Sequence, residues 1–399
     1  MKSSSISVYS WQFLELVIIT LIAYSFFQYH PLSEKGVVKF SNMLLVLILL
    51  GYSLSQIVKT RDSVSVRLKL LLVSIIISMF CSWIFWGQNI LLSYRSSYFL
   101  LYYVLFFYLS KRKPSEILIE KYIIFIGVVY SLLWLYGISC WPNQVFGTQA
   151  EDSFEDLSRG FMRVYFIGIT NLVLAFFLCV VKYTKTTNVR YLFGIIYFFT
   201  IIVFQLTRQV IFFSFLIGAI YYFYYHRKKM VYVAIFCLCL SVYLIPLVME
   251  GDNVISSMVE FSEKQQESHE SGKTDIRIIE YEFFFTRFSK NIITSIFGNG
   301  LPHTEGPYGK ALDRTGYFPS DVGYAQIYMV LGVVGLIIFM SLLYKVIKSK
   351  VSSEYAYAKL FVIYAIFGNI ASGILLELSG IFCLCISLYV IVLNKKLLT

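Results

Sequence analysis

Residues 191–225 read YLFGIIYFFTIIVFQLTRQVIFFSFLIGAIYYFYY. One helix of that length would run about 52 Å, well beyond the roughly 30 Å of hydrocarbon in a bilayer. The stretch therefore predicts two membrane spans, near 191–206 and 210–225, with a break at Thr207-Arg208-Gln209. Similar apolar stretches occur near 11–29, 40–58, 70–87, 96–109, 122–138, 164–181, 230–249, 322–344, 360–377 and 379–393. The expected fold is an all-α polytopic membrane protein of about twelve transmembrane helices. Composition agrees, since the 399 residues are 58% hydrophobic and only 14% charged, against about 25% charged in a soluble domain. Residues 1–399 read as a single integral membrane domain without an internal repeat. Met1-Lys2-Ser3 leads into the first apolar stretch without a small-residue cleavage site, so that stretch reads as a retained span.

The net charge of +11 would suggest nucleic acid in a soluble protein, but its distribution suggests orientation. Short connections at 1–10, 59–69, 110–121, 182–190, 226–229, 345–359 and 394–399 hold 21 of the 34 Lys and Arg residues. Those connections carry only the acids Asp62, Glu116, Glu120 and Glu354. Positive residues collect on the cytoplasmic side. The pattern thus places both termini in the cytoplasm and removes the need for a nucleic-acid partner. The C-x-C pairs Cys237/Cys239 and Cys383/Cys385 lie within apolar spans, where two thiols lack the other ligands that zinc needs. They read as small core residues.

The opposite face carries one outsized connection, the large extracytoplasmic loop at 250–321. Its first part, Glu250 to Gly272, is polar and acidic. From Asp275 onward, Tyr281, Phe284, Phe285, Phe288, Ile292 and Ile296 follow helical spacing, with Arg277, Glu280, Arg287 and Lys290 between them. That pattern predicts one amphipathic helix lying on the membrane–water interface. Gly298-Asn299-Gly300 supplies helix-stop chemistry, and Pro302 prevents resumption. Pro319-Ser320-Asp321 opens the next span, with Ser320 or Asp321 as its cap.

Arg208 is the most informative single residue, because an unpaired guanidinium at membrane depth is costly and intramembrane charges tend to be functional. The bland alternative is an arginine snorkelling to the headgroups. Arg159 and Arg163 precede the sixth span at a spacing of four, which would put both on one helix face. Guanidinium groups bind phosphate oxygens bidentately, so this pair suits a pyrophosphate, although Glu155 and Asp156 are near enough in sequence to pair with it. His303, Glu305, Asp313 and Asp321 are candidate bases, and histidine is usable near neutral pH. His303 has the strongest context of the four histidines, between the helix stop and Glu305-Gly306-Pro307. Cytoplasmic connections of no more than about 15 residues leave no room for a nucleotide-sugar domain or a P-loop. The sequence holds no HExxH and no paired CxxC, so neither a metal nor a cofactor is expected.

Taken in order, these residues resemble the bacterial O-antigen ligase and O-antigen/capsule polymerase superfamily. The carriers are Arg163 before a span, Leu206-Thr207-Arg208 at a helix break, and the late loop from Asp275-Ile276-Arg277 to Phe297-Gly298-Asn299-Gly300. Asp321-Val322-Gly323 followed by Leu331-Gly332-Val333-Val334-Gly335 is similar to that family's next span. The resemblance covers mainly 157–345. It implies an inverting, metal-independent glycosyltransferase in the bacterial cytoplasmic membrane, using a polyprenyl-diphosphate-linked oligosaccharide as donor and as acceptor. A flippase and a chain-length regulator of the same pathway are the implied partners, besides the lipid bilayer itself. Arg163 and Arg208 would hold the leaving diphosphate, and His303 would activate or orient the acceptor hydroxyl. Arg159, Arg277, Glu305, Tyr308, Asp313 and Asp321 complete the expected substrate-binding set. The ligase branch shows a His-Asn pair where this chain has His303-Thr304, which favours the polymerase over the ligase.

A lipid-linked oligosaccharide flippase is the contrasting class. It should show pseudo-symmetric halves and charges at several mid-membrane depths. Instead of charges at mid-membrane depth, this chain carries its ionisable residues at the outer face, with a single outsized late loop, and Glu15 and Glu377, at or near span ends, are the main exceptions.

Overall fold

The computed structural model describes residues 2–33, 36–140, 143, 145–147, 165–205, 207–226 and 276–397. Among these residues the chain is helical, with a lone antiparallel bridge between Tyr29 and Phe146. Six helical stretches are long and apolar enough to cross a membrane: Gly36–Lys59, Ser63–Trp86, Ile90–Arg112, Glu116–Ser139, Ile169–Thr186 and Gly323–Lys348. Trp11–Ala23, Val189–Phe204 and Leu378–Asn394 are shorter apolar helices. The chain is thus built as a multi-pass α-helical membrane protein. The expected span 230–249, the acidic segment 250–272 and both Arg159 and Arg163 lie outside the described residues.

In chain order the helices are α1 (Lys2–Ala23), α2 (Gly36–Lys59), α3 (Ser63–Trp86), α4 (Ile90–Ser97), α5 (Leu105–Arg112), α6 (Glu116–Ser139), α7 (Ile169–Thr186), α8 (Val189–Phe204) and α9 (Arg208–Tyr225). After the undescribed segment come α10 (Ile276–Thr286), α11 (Ile292–Phe297), α12 (Pro307–Asp313), α13 (Gly323–Lys348), α14 (Ala356–Gly368) and α15 (Leu378–Leu397). The caps follow ordinary chemistry, as where Asp62 accepts from the Val64 and Ser65 amides and Asn188 from that of Arg190. Of the six long apolar stretches, Ile169–Thr186 (α7) is the most buried, packed against α6, α8 and α14.

The described basic clusters lie at one end of the bundle. There Arg112 pairs with Glu15, Lys182 pairs with Glu120 at 2.6 Å, and Lys182 also faces the Tyr355 ring. Ser352 donates its amide to Asn394, and the Tyr389 hydroxyl donates to the Pro114 carbonyl. The other end holds the late loop, the end of α3 and the starts of α7, α9, α13 and α15.

Several elements depart from the sequence reading. In 191–225 one helix ends at Phe204 and the next starts at Arg208, so Arg208 opens α9 instead of lying between helices. The span expected at 96–109 starts at Ile90 and passes through a buried 3-10 stretch, Tyr98–Val104. The interfacial helix expected from Asp275 is two helices. Asn291 accepts from the Thr294 amide and Thr294 returns the bond, a capping box that restarts the chain as α11. Glu280, placed on the polar face by periodicity, is instead 1% exposed and accepts the Phe318 amide at 2.9 Å. Neither Ser320 nor Asp321 caps α13, because both belong to a 3-10 turn and Val322 occupies the cap without a side-chain bond. The span expected at 360–377 ends at Gly368, leaving 13 residues in α14. Such a helix is about 20 Å long and falls short of a bilayer core.

One contact organises the loop end. Gly332 kinks α13 with φ 67° and ψ −171°, which frees the Met329 and Val330 carbonyls from the helical ladder. The Asn299 and Gly300 amides donate to those carbonyls at 2.8 and 3.0 Å. Approach is this close only because Gly298 and Gly332 lack a side chain. A Cβ on Gly298 would sit 2.1 Å from the Val330 oxygen, and one on Gly332 would sit 2.3 Å from the Ile296 oxygen. Gly332→Ala is expected to cost about 3 kcal/mol or more, since it combines a backbone clash with positive φ. Thermal unfolding of the detergent-solubilised protein checks this against Gly51→Ala in the interior of α2, whose Cβ would meet nothing within 4 Å and which should hold or slightly raise the midpoint.

Candidate functional site

The described candidate residues form two groups at the loop end. The first surrounds the chain reversal after Gly300. Asn299 is fully buried, accepting from Trp86 Nε1 at 2.9 Å and donating to the Met329 carbonyl. Trp86 stacks on Tyr308, ring centroids 4.4 Å apart, and the Lys290 ammonium lies 4.2 Å from the Trp86 ring centre. Gln88, also fully buried, donates to the Leu301 carbonyl and accepts the His303 amide at 2.8 Å. Ser96 adds a second donor to Leu301. Two side chains from the α3–α4 corner thereby fix residues 301–303.

His303 is half-buried, and its Nδ1 accepts the Glu305 amide at 3.2 Å. An acceptor carries no proton, so the bond leaves the ring proton on Nε2. In this arrangement His303 offers a donor to a ligand, and the expected role of orienting a hydroxyl suits it better than abstracting a proton. Glu305 is exposed and pairs with Arg95 at 3.6 Å. Tyr308 has no accessible surface, and its hydroxyl donates to the Gly300 carbonyl. Burial pushes its phenol well above the ordinary value, so it stays a neutral donor. In this geometry Tyr308 holds the loop and offers no edge to a substrate. Asp313 and Asp321 are exposed, with Ser320 donating to Asp321 at 3.4 Å. Arg277 is exposed on the first turn of α10, which packs against the 3-10 turn containing Asp321.

The second group lies where three chain breaks meet. Tyr130 on α6 is fully buried and donates from its hydroxyl to Phe166 of the segment before α7. The same hydroxyl accepts from Gln205 at 3.1 Å, in the break before α9. Phe27 and Phe166 pack their rings against Tyr130. Arg208 stands three residues beyond Gln205, exposed on the first turn of α9. A helix start carries partial positive charge, and the Arg208 guanidinium adds its own charge at that end of α9.

The third break, 369–377, carries Glu377. The sequence marks Glu377 as an exceptional acid in an apolar run, and nothing there shows that the run is not helical. Gln88 and Trp86 escaped sequence reading because their partners lie more than 200 positions away. Among the described residues, no group of three or more His, Cys, Asp or Glu side chains is placed to hold a metal ion. Comparison with protein-family models and with curated proteins found no match for this chain.

If Gln88 is what holds His303, Gln88→Ala should speed amide hydrogen exchange across 301–306 by tenfold or more. That factor corresponds to losing about 1.4 kcal/mol of local stability, and exchange in α7 should not change. Glu305→Gln removes only an exposed pair and should leave the unfolding midpoint unaltered.

Proposed function

We propose that this protein polymerises polyprenyl-diphosphate-linked oligosaccharide repeat units on the outer face of a bacterial cytoplasmic membrane. In this reading the chain crosses about twelve times with both termini inside, and the basic end of the bundle faces the cytoplasm. Arg208 carries the proposal: a guanidinium on the first turn of a helix that starts at a break in an otherwise uncharged run.

The leaving group of such a transfer is a diphosphate, and negative charge grows on its bridging oxygen as the glycosidic bond breaks. Arg208 and the positive end of α9 stand ready for that charge, where electrostatic stabilisation is most effective. Arg163, close in sequence to Phe166, would supply a second guanidinium. The fixed 301–306 loop would receive the acceptor sugar, with His303 Nε2–H donating to it and Arg95 and Glu305 at the margin. The acidic residues Asp313 and Asp321 and the cation Arg277 would line the approach of the glycan.

The test is the surface-glycan profile of a deletion strain complemented with wild type or variants. Arg208→Ala, inserted at normal levels, should replace the ladder with single-repeat stubs. Loss of one such donor corresponds to about 10²–10³ in rate. Arg208→Lys should recover little, because an ammonium cannot bind two oxygens as a planar fork does. Lipid-linked polymer that accumulates without reaching its final acceptor would identify a ligase instead. Repeat units trapped on the cytoplasmic leaflet would identify a flippase.

A further inference from the structure

Among the described residues, Glu377 is a carboxyl without the partners that a structural acid needs. Enclosed charges are normally neutralised by a cation or by several donors. Its one hydrogen bond among the described residues comes from the Ser379 hydroxyl at a long 3.4 Å, and no cation among them pairs with it. Its chain neighbours Leu375, Leu376, Leu378 and Ser379 are buried, yet Glu377 keeps accessible surface. The phenols of Tyr24, Tyr130 and Tyr364 and the Cys383 thiol lie within electrostatic reach of it. The Tyr364 hydroxyl is itself fully buried, with no hydrogen-bond partner among the described residues.

The backbone holds this carboxyl firmly. Asn369 accepts the Leu375 amide at 2.9 Å, the Gly373 carbonyl accepts from Leu376 and Glu377, and the Tyr103 hydroxyl donates to the Leu375 carbonyl at 2.5 Å. Tyr130, within electrostatic reach of Glu377, is bonded to Gln205, three residues from Arg208. The chain thus keeps a bare, fixed carboxyl at the same end of the bundle as its break-located arginine. His303, with Nδ1 already occupied, leaves the base role open.

We infer that Glu377 is the proton acceptor of the transfer, an inference that rests on the glycosyltransferase reading above. The acceptor sugar O–H attacks the anomeric carbon, and a new C–O bond forms on the face opposite the leaving group. The bond from that carbon to the diphosphate breaks, its electron pair leaves on the diphosphate oxygen, and the hydroxyl proton passes to the Glu377 carboxylate.

The experiment uses full-length protein in proteoliposomes with synthetic polyprenyl-diphosphate-linked repeat units, reading polymer formed and donor bound. Glu377→Gln should lower turnover by about 10²–10⁴, the usual range for general base catalysis, with donor binding kept within a few-fold of wild type. Glu377→Ala leaves room for a small acid, and added formate should restore part of its turnover. Arg208→Ala, in contrast, should gain nothing from formate. Glu377→Gln turning over near the wild-type rate overturns the inference while leaving the polymerase reading intact. Turnover lost together with donor binding, and not restored by formate, also overturns it, because Glu377 would then be structural. Wild-type protein that moves the donor across the bilayer without elongating it defeats the polymerase reading and this inference together.

Discussion

A kinked helix inside a membrane protein creates a debt of hydrogen bonds, and the loop end of this protein is organised around settling one. At Gly332 the ladder of α13 is interrupted, and the Met329 and Val330 carbonyls lose their intrahelical donors. Lipid cannot supply replacements, and each unsatisfied group there costs several kcal/mol. The amides of Asn299 and Gly300 supply them, with Asn299 adding its side-chain nitrogen. Asn299 then reaches α3 through Trp86, and Gly300 receives the Tyr308 hydroxyl. The docking of α11, the position of α12 and the path of His303 follow from that one backbone meeting.

Much of this architecture is legible in the sequence because its signals are local. Apolar runs near twenty residues and basic clusters between them predict spans, and the described long helices coincide with them. Gly298-Asn299-Gly300 is readable as a stop because positive φ and a missing side chain are properties of the residues themselves, and both glycines do adopt positive φ. The misreadings share an origin in tertiary contact. Residues 369–377 are apolar enough to pass for helix, but the chain there is captured by α13. A Cβ on Gly323 would lie 2.1 Å from the Ser372 carbonyl oxygen and 2.4 Å from that of Asn369. Glu280 misleads for a related reason, since periodicity assigns a charged residue to water while the Phe318 amide holds it inside.

The candidate site divides the same way. Arg208 stands out in sequence because a charge in an uncharged run is improbable without a use, and the helix break beside it is a matter of length alone. The environment of His303 was not legible, since Gln88 and Ser96 arrive from more than 200 residues earlier. The tautomer of its ring depends on one backbone amide, which no pattern of residue types encodes. Tyr308 illustrates the converse: an aromatic in a polar loop resembles a sugar platform, yet here it stacks beneath Trp86 and is fully buried.

The positions of the breaks are themselves an argument about function. Non-helical backbone at membrane depth persists only where protein or a water-lined cavity satisfies it. The described chain leaves helical geometry at Gln205 and Thr207 and at 369–377, and starts α7 only after 165–168. Tyr130 bonds to the first and last of these segments, and lies within electrostatic reach of Glu377 in the other. A bundle selected for stability alone would carry its helices through and fill the space with aliphatic side chains, as α7 does along most of its length. Gathering three interruptions and four buried polar groups (Tyr24, Tyr130, Asn171 and Gln205) at the end that carries Glu377 trades aliphatic packing for hydrogen bonding. On the proposed reading, a transfer that expels a diphosphate while releasing a proton would draw on Arg208 for the first and on Glu377 for the second.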